Sequence, residues 1–218
     1  MHYEEFRRRF GASVRTKHIR KPSDNGPKML ANKRPYTLPK DTEIEREFIR
    51  MEPWEAEYLF RIAERSKIGI LETGRLHGGS TLLLSCAAPT VPIWSIDLAP
   101  RDDEKLLEIF QSLQIGANVE LIVGDSRKTR YPSITGFDVL WVDGDHSYEG
   151  CMDDLENWID LMRPGGHILV HDSYPGQPVM DAVAEFSRRS DVETIVPAFR
   201  TSEHWWHPAG SLAHLMKI

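Results

Sequence analysis

Two short runs hold most of the side chains able to do acid–base or metal chemistry. One is Asp143-Gly144-Asp145-His146-Ser147-Tyr148, the other His171-Asp172. Each follows an apolar stretch, Val139–Val142 and Ile168–Val170 respectively. If those stretches are neighbouring strands, Asp143, His171 and Asp172 meet at one rim with His146 a few residues above. Hard oxygen ligands from two strand ends, with room for water and a substrate, suit Mg²⁺. The histidine also admits Mn²⁺, Fe²⁺ or Zn²⁺. His146, with an ordinary pKa of about 6.5, is in addition a competent proton acceptor at neutral pH. The plainer reading makes Asp145 or Ser147 a helix cap and His171-Asp172 a solvated loop.

A second set suits an organic ligand. Glu72-Thr73-Gly74-Arg75-Leu76-His77-Gly78-Gly79-Ser80-Thr81 follows the apolar run Ile68–Leu71. Glycines there allow a sharp turn and close backbone approach, and the following helix offers free N–H groups to an anion. Gly74 to Gly78 is wider than the GxGxxG of a dinucleotide site, and an acid at the strand end suits a ligand carrying a positive amino group. Asp97 closes the next apolar run, where a carboxylate in such a sheet accepts hydrogen bonds from ribose hydroxyls. Gly124-Asp125-Ser126 closes the third and can reach an adenine edge, although Asp125-Ser126 also reads as a cap.

These residues need a common scaffold. Apolar runs at 68–71, 93–96, 119–123, 139–142 and 168–170 alternate with helical patterns at 80–88, 102–115 and 148–162. That alternation predicts an α/β chain, a Rossmann-like doubly wound sheet of about seven mostly parallel strands with helices on both faces. Upstream, Asp41-Thr42 caps one helix and Pro53 opens another. Arg163-Pro164-Gly165-Gly166 is a turn before the fifth strand. Beyond a helix at 177–189, runs at 192–196 and 212–216 lack a helix between them, which implies an antiparallel C-terminal strand pair.

Charge is unevenly spread. Residues 1–40 contain eleven Lys or Arg and three acids, out of 27 and 33 in the whole chain, so a basic N-terminal arm at 1–40 precedes an acidic domain at 41–218. The arm could meet nucleic acid or fold back on its own acidic domain, and Pro22, Asn25-Gly26-Pro27 and Pro35 break it up. No apolar run near 18 residues suggests a membrane span. Cys86 and Cys151 have no metal-ligand or disulfide spacing and read as small buried hydrophobes in a reducing, cytoplasmic setting.

Taken together, the Glu72–Ser80 stretch, Asp97, Gly124-Asp125-Ser126, the VDGDHSYEG run and the PGG-x4-HD ending resemble class I O-methyltransferases. The nearest resemblance is to the group that carries DGDHSY followed by a PGG turn, related to macrocin-type sugar O-methyltransferases and more distantly to catechol and caffeoyl-CoA O-methyltransferases. It spans roughly residues 65–190. The resemblance implies S-adenosylmethionine as cofactor, its methionine end held near Gly74 and Gly78 by Glu72 and Ser80, its ribose by Asp97 and its adenine by Asp125 or Ser126. It implies a divalent metal, Mg²⁺ first, held by Asp143, His171 and Asp172, with His146 where catechol-type relatives place a catalytic lysine. His171 stands where the family has an acid.

The expected reaction is metal-assisted methylation of a hydroxyl on a small molecule, with Asp143 and His146 as catalytic residues. The scaffold also hosts a cephalosporin hydroxylase group, and non-catalytic cofactor binding is a further alternative. Nucleic acid is disfavoured as a substrate because the fourth strand lacks the Asn/Asp-Pro-Pro-Tyr/Phe turn of base methylation. A nicotinamide oxidoreductase is disfavoured by the glycine spacing. His204-Trp205-Trp206-His207 could stack on an acceptor ring or serve as a contact between copies in a homo-oligomer. The identity of the acceptor is not legible.

Overall fold

The computed structural model describes residues 1–10, 48–51, 53–173, 176–195 and 212–218. The Asp41-Thr42 cap, most of the basic arm and the His204–His207 loop lie outside the described residues.

A seven-stranded sheet has the order β3-β2-β1-β4-β5-β7-β6. Its strands are β1 (Ile70–Thr73), β2 (Ile93–Asp97), β3 (Val119–Val123), β4 (Phe137–Val142), β5 (Met162–His171), β6 (Val192–Ile195) and β7 (Leu212–Lys217). β1 to β5 pair in parallel, while β7 runs antiparallel to both β5 and β6. The order reverses direction at β1, which lies between β2 and β4. In an open α/β sheet that crevice at the carboxyl ends is where ligands bind.

The helices are α1 (Tyr3–Phe10), α2 (Pro53–Ala63), α3 (Gly79–Ala87), α4 (Asp103–Leu113), α5 (Tyr148–Trp158) and α6 (Pro178–Phe186), with a 3₁₀ turn at Ile159–Leu161. Ile70, Ile93, Val139, Trp141 and Leu169 form one core with α1 to α4. Leu71, Ile96, Leu140, Val142 and Val170 form the other with α5 and α6. Alternate strand residues therefore go to opposite layers, as the pleat demands. Among the described residues no helix is long and apolar enough to cross a membrane. Cys86 and Cys151 are free and buried, and burial pushes both thiols up to about 12.

Three differences from the sequence reading have physical causes. The first strand extends through Glu72 and Thr73, polar residues that are fully buried. The fifth begins at Met162, with the Arg163–Gly166 turn absorbed as an irregularity: Met162 opposes Phe137, and His167 already opposes Val139. The first ten residues, grouped by charge with the arm, pack as helix α1. Tyr3, Phe6 and Phe10 recur at helical spacing and are buried, while Arg7, Arg8 and Arg9 face outward. Phe6 lies 5.3 Å from the Phe60 ring of α2 and 5.1 Å from Phe10.

Candidate active site

A cavity of about 510 Å³ opens at the carboxyl ends of the central strands. Its wall includes Gly74, Ser80, Asp97, Asp125, Ser126, Asp143, His146, His171 and Asp172, residues from the ends of β1, β2, β3, β4 and β5. Most residues of the two sets singled out in the sequence thus face one space.

The β1 loop is held by its neighbours. Gly74 has φ +84°, and a Cβ there would lie 2.2 Å from the Asp143 carbonyl oxygen. Only a residue without a side chain lets the two loops touch. Asp97 accepts from the backbone N–H groups of Arg75 (2.9 Å) and Leu76 (2.8 Å) through one oxygen, and from Ala99 (2.7 Å) through the other. Arg75 is sealed beneath the loop, donating to Asp103 and to the carbonyls of Ser95 and Ile122. His77 is hydrogen-bonded to Asp102.

Two cofactor expectations are modified. Gly78 does not line the cavity; its missing Cβ makes room for Leu106 of α4, 2.6 Å from where that atom would be. Glu72 does not line it either. Its carboxylate accepts from Thr81 and Ser95, 2.5 Å each, and burial raises its pKa against the hydroxyls of Ser80, Ser95 and Thr81. Glu72 shares the face of Ile70, so the pleat points it at α3 rather than into the crevice.

At β3, Ser126 is clamped to α5. Its hydroxyl donates to Asp154 (2.6 Å), and its carbonyl accepts from Asn157 (2.6 Å) and Trp158 Nε1 (2.9 Å). Arg127, which the sequence reading missed, donates to Asp125 (2.9 Å) and Asp145 (2.7 Å), tying the β3 loop to the β4 loop. Hydrogen bonding from Arg127 holds the Asp125 carboxyl well below the usual range. Asp145 and Ser147 do act at the start of α5: Ser147 accepts from Gly150 N–H, and Asp145 from Ser147 N–H.

The third group combines two carboxylates with an imidazole. His146 Nε2 stands 3.6 Å from Asp143 Oδ1 and 3.7 Å from Asp172 Oδ2. One ligand atom from each of Asp143, His146 and Asp172 lies within 4.8 Å of the others, a spacing that one cation could bridge. Asp172 adopts φ +52°, a costly backbone state for a non-glycine residue. His171, expected in this set, lies beside it: its Nδ1 faces Asp143 Oδ1 at 3.1 Å and its Nε2 faces Glu55 Oε2 of α2 at 3.1 Å, and His146 is the imidazole that shares the group with the two aspartates.

Burial opposes ionisation of Asp143, but His171 and His146 outweigh it and keep the carboxyl below its usual range. The facing Asp143 carboxylate raises the His146 pKa by favouring the imidazolium. Burial would depress His171, yet Asp143, Asp172 and Glu55 hold it well above the ordinary value.

Polar strand ends on one crevice, beside a carboxylate–histidine group, narrow the possible families. Residues 71–173 match the family model of a methyltransferase domain. The match covers just under half the chain, from β1 to the residue after Asp172. The matched stretch contains every expected site residue, whereas α1 and α2 lie outside it. No curated protein matches the chain in sequence. Among solved structures, the O-methyltransferase TomG from Streptomyces achromogenes, in complex with SAM, is 18% identical with a TM-score of 0.59, covering 77% of this chain and 81% of that one. The O-methyltransferase NovP is 19% identical with a TM-score of 0.60 over 77% and 81%. The SAH-bound methyltransferase PaMTH1 of Podospora anserina is 16% identical with a TM-score of 0.59 over 78% and 80%. The sheet with its antiparallel ending is thus the Rossmann-like methyltransferase fold.

Proposed function

We propose that the chain is an S-adenosylmethionine-dependent methyltransferase that transfers a methyl group to a hydroxyl of a small molecule. The observation that carries this reading is the Asp143–His146–Asp172 group, set in the wall of the cavity that the β1, β2 and β3 loops also line. The methyltransferase domain match and the fold shared with TomG and NovP support it.

The cavity fits the cofactor in size, lying within the range of small-molecule sites. The β1 loop and Ser80 would receive its methionine end, with Glu72 acting through Ser80 rather than by contact. A carboxylate has about four lone-pair sites; backbone N–H groups take three on Asp97, leaving about one for a ribose hydroxyl. The clamped Asp125–Ser126 loop would face the adenine. S-adenosylmethionine supplies, when bound, a methyl group on a sulfonium that is already activated for displacement.

The chain then has to align the acceptor oxygen and take its proton. With His146 Nε2 directed at the Asp143 and Asp172 carboxylates, Nδ1 is the atom placed to accept that proton, and the carboxylates stabilise the resulting imidazolium. Transfer would leave S-adenosylhomocysteine, with the acceptor's proton on His146 Nδ1. A second reading rests on the same three atoms: Asp143, His146 and Asp172 would hold a divalent cation, Mg²⁺ or, given the imidazole, Mn²⁺, which would lower the pKa of the acceptor hydroxyl.

Calorimetric titration of S-adenosylmethionine into metal-stripped protein, repeated with Mg²⁺, with Mn²⁺ and with NAD, tests the proposal. Micromolar binding of S-adenosylmethionine and none of NAD is expected. No binding under any metal condition would overturn the reading. Once an acceptor is found, His146→Ala should leave cofactor affinity intact and slow transfer by about 10²–10⁴-fold.

A further inference from the structure

Glu55 lies in the first turn of α2, outside the methyltransferase domain, where an acid ordinarily does no more than complement the helix dipole. Here it is fully buried and aimed at the sheet. Its Oε2 lies 3.1 Å from His171 Nε2, while His171 Nδ1 lies 3.1 Å from Asp143 Oδ1. Three elements, α2, β5 and the β4 loop, meet in one continuous line of polar atoms. The His171 ring is 3% exposed and lies against Trp141, with centroids 5.4 Å apart.

Carboxylates face both ring nitrogens, so both must donate. An imidazole held at both nitrogens cannot rotate about its Cβ–Cγ bond without losing both contacts. The atom at the far end, Asp143 Oδ1, is the same atom that stands 3.6 Å from His146 Nε2. Its position sets the geometry of the whole reactive group. Asp143 itself follows the end of β4, next to Gly144.

We propose that Glu55 is a positioning residue: it holds the His171 ring and, through that ring, fixes the Asp143 carboxylate at the cavity wall. The catalytic meaning of that position rests on the function proposed above; the mechanical claim does not. The consequence is that the reactive group is completed by a helix outside the methyltransferase domain. α2 is anchored independently, by Ala56, Leu59, Phe60 and Ala63 in the core and by Tyr58 Oη, 2.6 Å from His214 Nδ1. Removing the Glu55 carboxylate should therefore leave the helix docked.

The test uses the full chain labelled with ¹⁵N-histidine, with His171→Gln to assign the ring signals, and compares the parent with Glu55→Gln and Glu55→Ala. The parent should show both His171 ring N–H protons protected from solvent exchange. Glu55→Gln, whose amide oxygen still accepts from Nε2–H, should keep the Nδ1–H signal that reports on Asp143. Glu55→Ala should lose it, exchanging at least about tenfold faster. Supporting partners of a ligating carboxylate typically change metal affinity by about 10–100-fold, so Mn²⁺ titrated alone should bind Glu55→Ala more weakly by that factor. S-adenosylmethionine affinity should stay within about twofold, because Glu55 is not in the cavity wall. Glu55→Asp, which keeps the charge and withdraws it by one methylene, replaces the alanine variant if that one does not fold and should lose the Nδ1–H signal likewise. An Nδ1–H signal equally protected in the alanine or aspartate variant would overturn the proposal. If the parent binds no Mn²⁺, the metal reading fails while the ring signals still decide the role of Glu55.

Discussion

Asp154 of α5 is 1% exposed although it borders the cavity. Burial raises its pKa from 3.8 to about 6, despite the hydrogen bond from the Ser126 hydroxyl. A carboxyl whose folded-state value lies above its unfolded value favours the fold while protonated. The benefit is complete below the unfolded value and is lost as pH rises through the folded one. Relative to a group that never ionises, linkage puts the cost of Asp154 at about 1.5 kcal/mol at pH 5 and about 3 kcal/mol at pH 8. Asp154→Asn removes the ionisation and keeps the shape. Its amide oxygen still accepts from the Ser126 hydroxyl. Urea unfolding at the two pH values should find the variant more stable than the parent, with an advantage growing by roughly 1.4 kcal/mol between pH 5 and pH 8. A difference that stays flat, or a variant that becomes relatively weaker as pH rises, would refute the reasoning. In the second case Asp154 would be ionised and stabilising in the folded protein.

Other changes probe the scaffold. Gly74→Ala forces a Cβ into the left-handed region, which costs about 1–2 kcal/mol, and into the Asp143 carbonyl 2.2 Å away. Denaturant unfolding should show a loss of at least about 2 kcal/mol, with weaker S-adenosylmethionine binding by calorimetry; parental stability would mean the loops do not touch. Arg75→Met strands Asp103 and the carbonyls of Ser95 and Ile122. Breaking such a buried pair costs about 3–5 kcal/mol, and a neutral outcome by urea unfolding would contradict the sealed geometry. Phe6→Ala should cost about 3–5 kcal/mol if α1 belongs to the core, whereas a loss under about 1 kcal/mol would show the helix to be separable from the domain.

The alternation of apolar runs and helical patterns was enough to read the parallel part of the sheet, because buried parallel strands are short continuous hydrophobic runs. Where polar residues are buried on a strand, that signal fails. Glu72 and Thr73 belong to β1 only because hydroxyls from α3 and β2 satisfy the carboxylate. The choice between His146 and His171 could have been made from the pleat: His171 shares the face of Leu169, the one covered by α2, whereas Asp172 has already left the strand. Glu55 carries no such signal, since its partner lies 116 residues away and only tertiary packing brings the two together. Arg127 and Arg75 are equally silent, as charged side chains in loops read as solvated until their partners are seen. The spacing of Tyr3, Phe6 and Phe10 did announce α1, but the Arg7–Arg9 cluster among them drew attention to charge instead.

The strand latest in sequence, β7, lies between β5 and β6 rather than at the rim. β6, although earlier in the chain, touches the sheet only through β7 among the described residues. The growing polypeptide therefore cannot close this side of the sheet until residues 212–217 exist, and until then β5 presents an unpaired edge that can join another chain. A stop at any codon from 173 to 211 would leave the cavity residues in sequence but strip β5, the strand that leads to Asp172, of its support on one side. Truncated products should therefore aggregate during expression rather than accumulate as soluble, inactive protein.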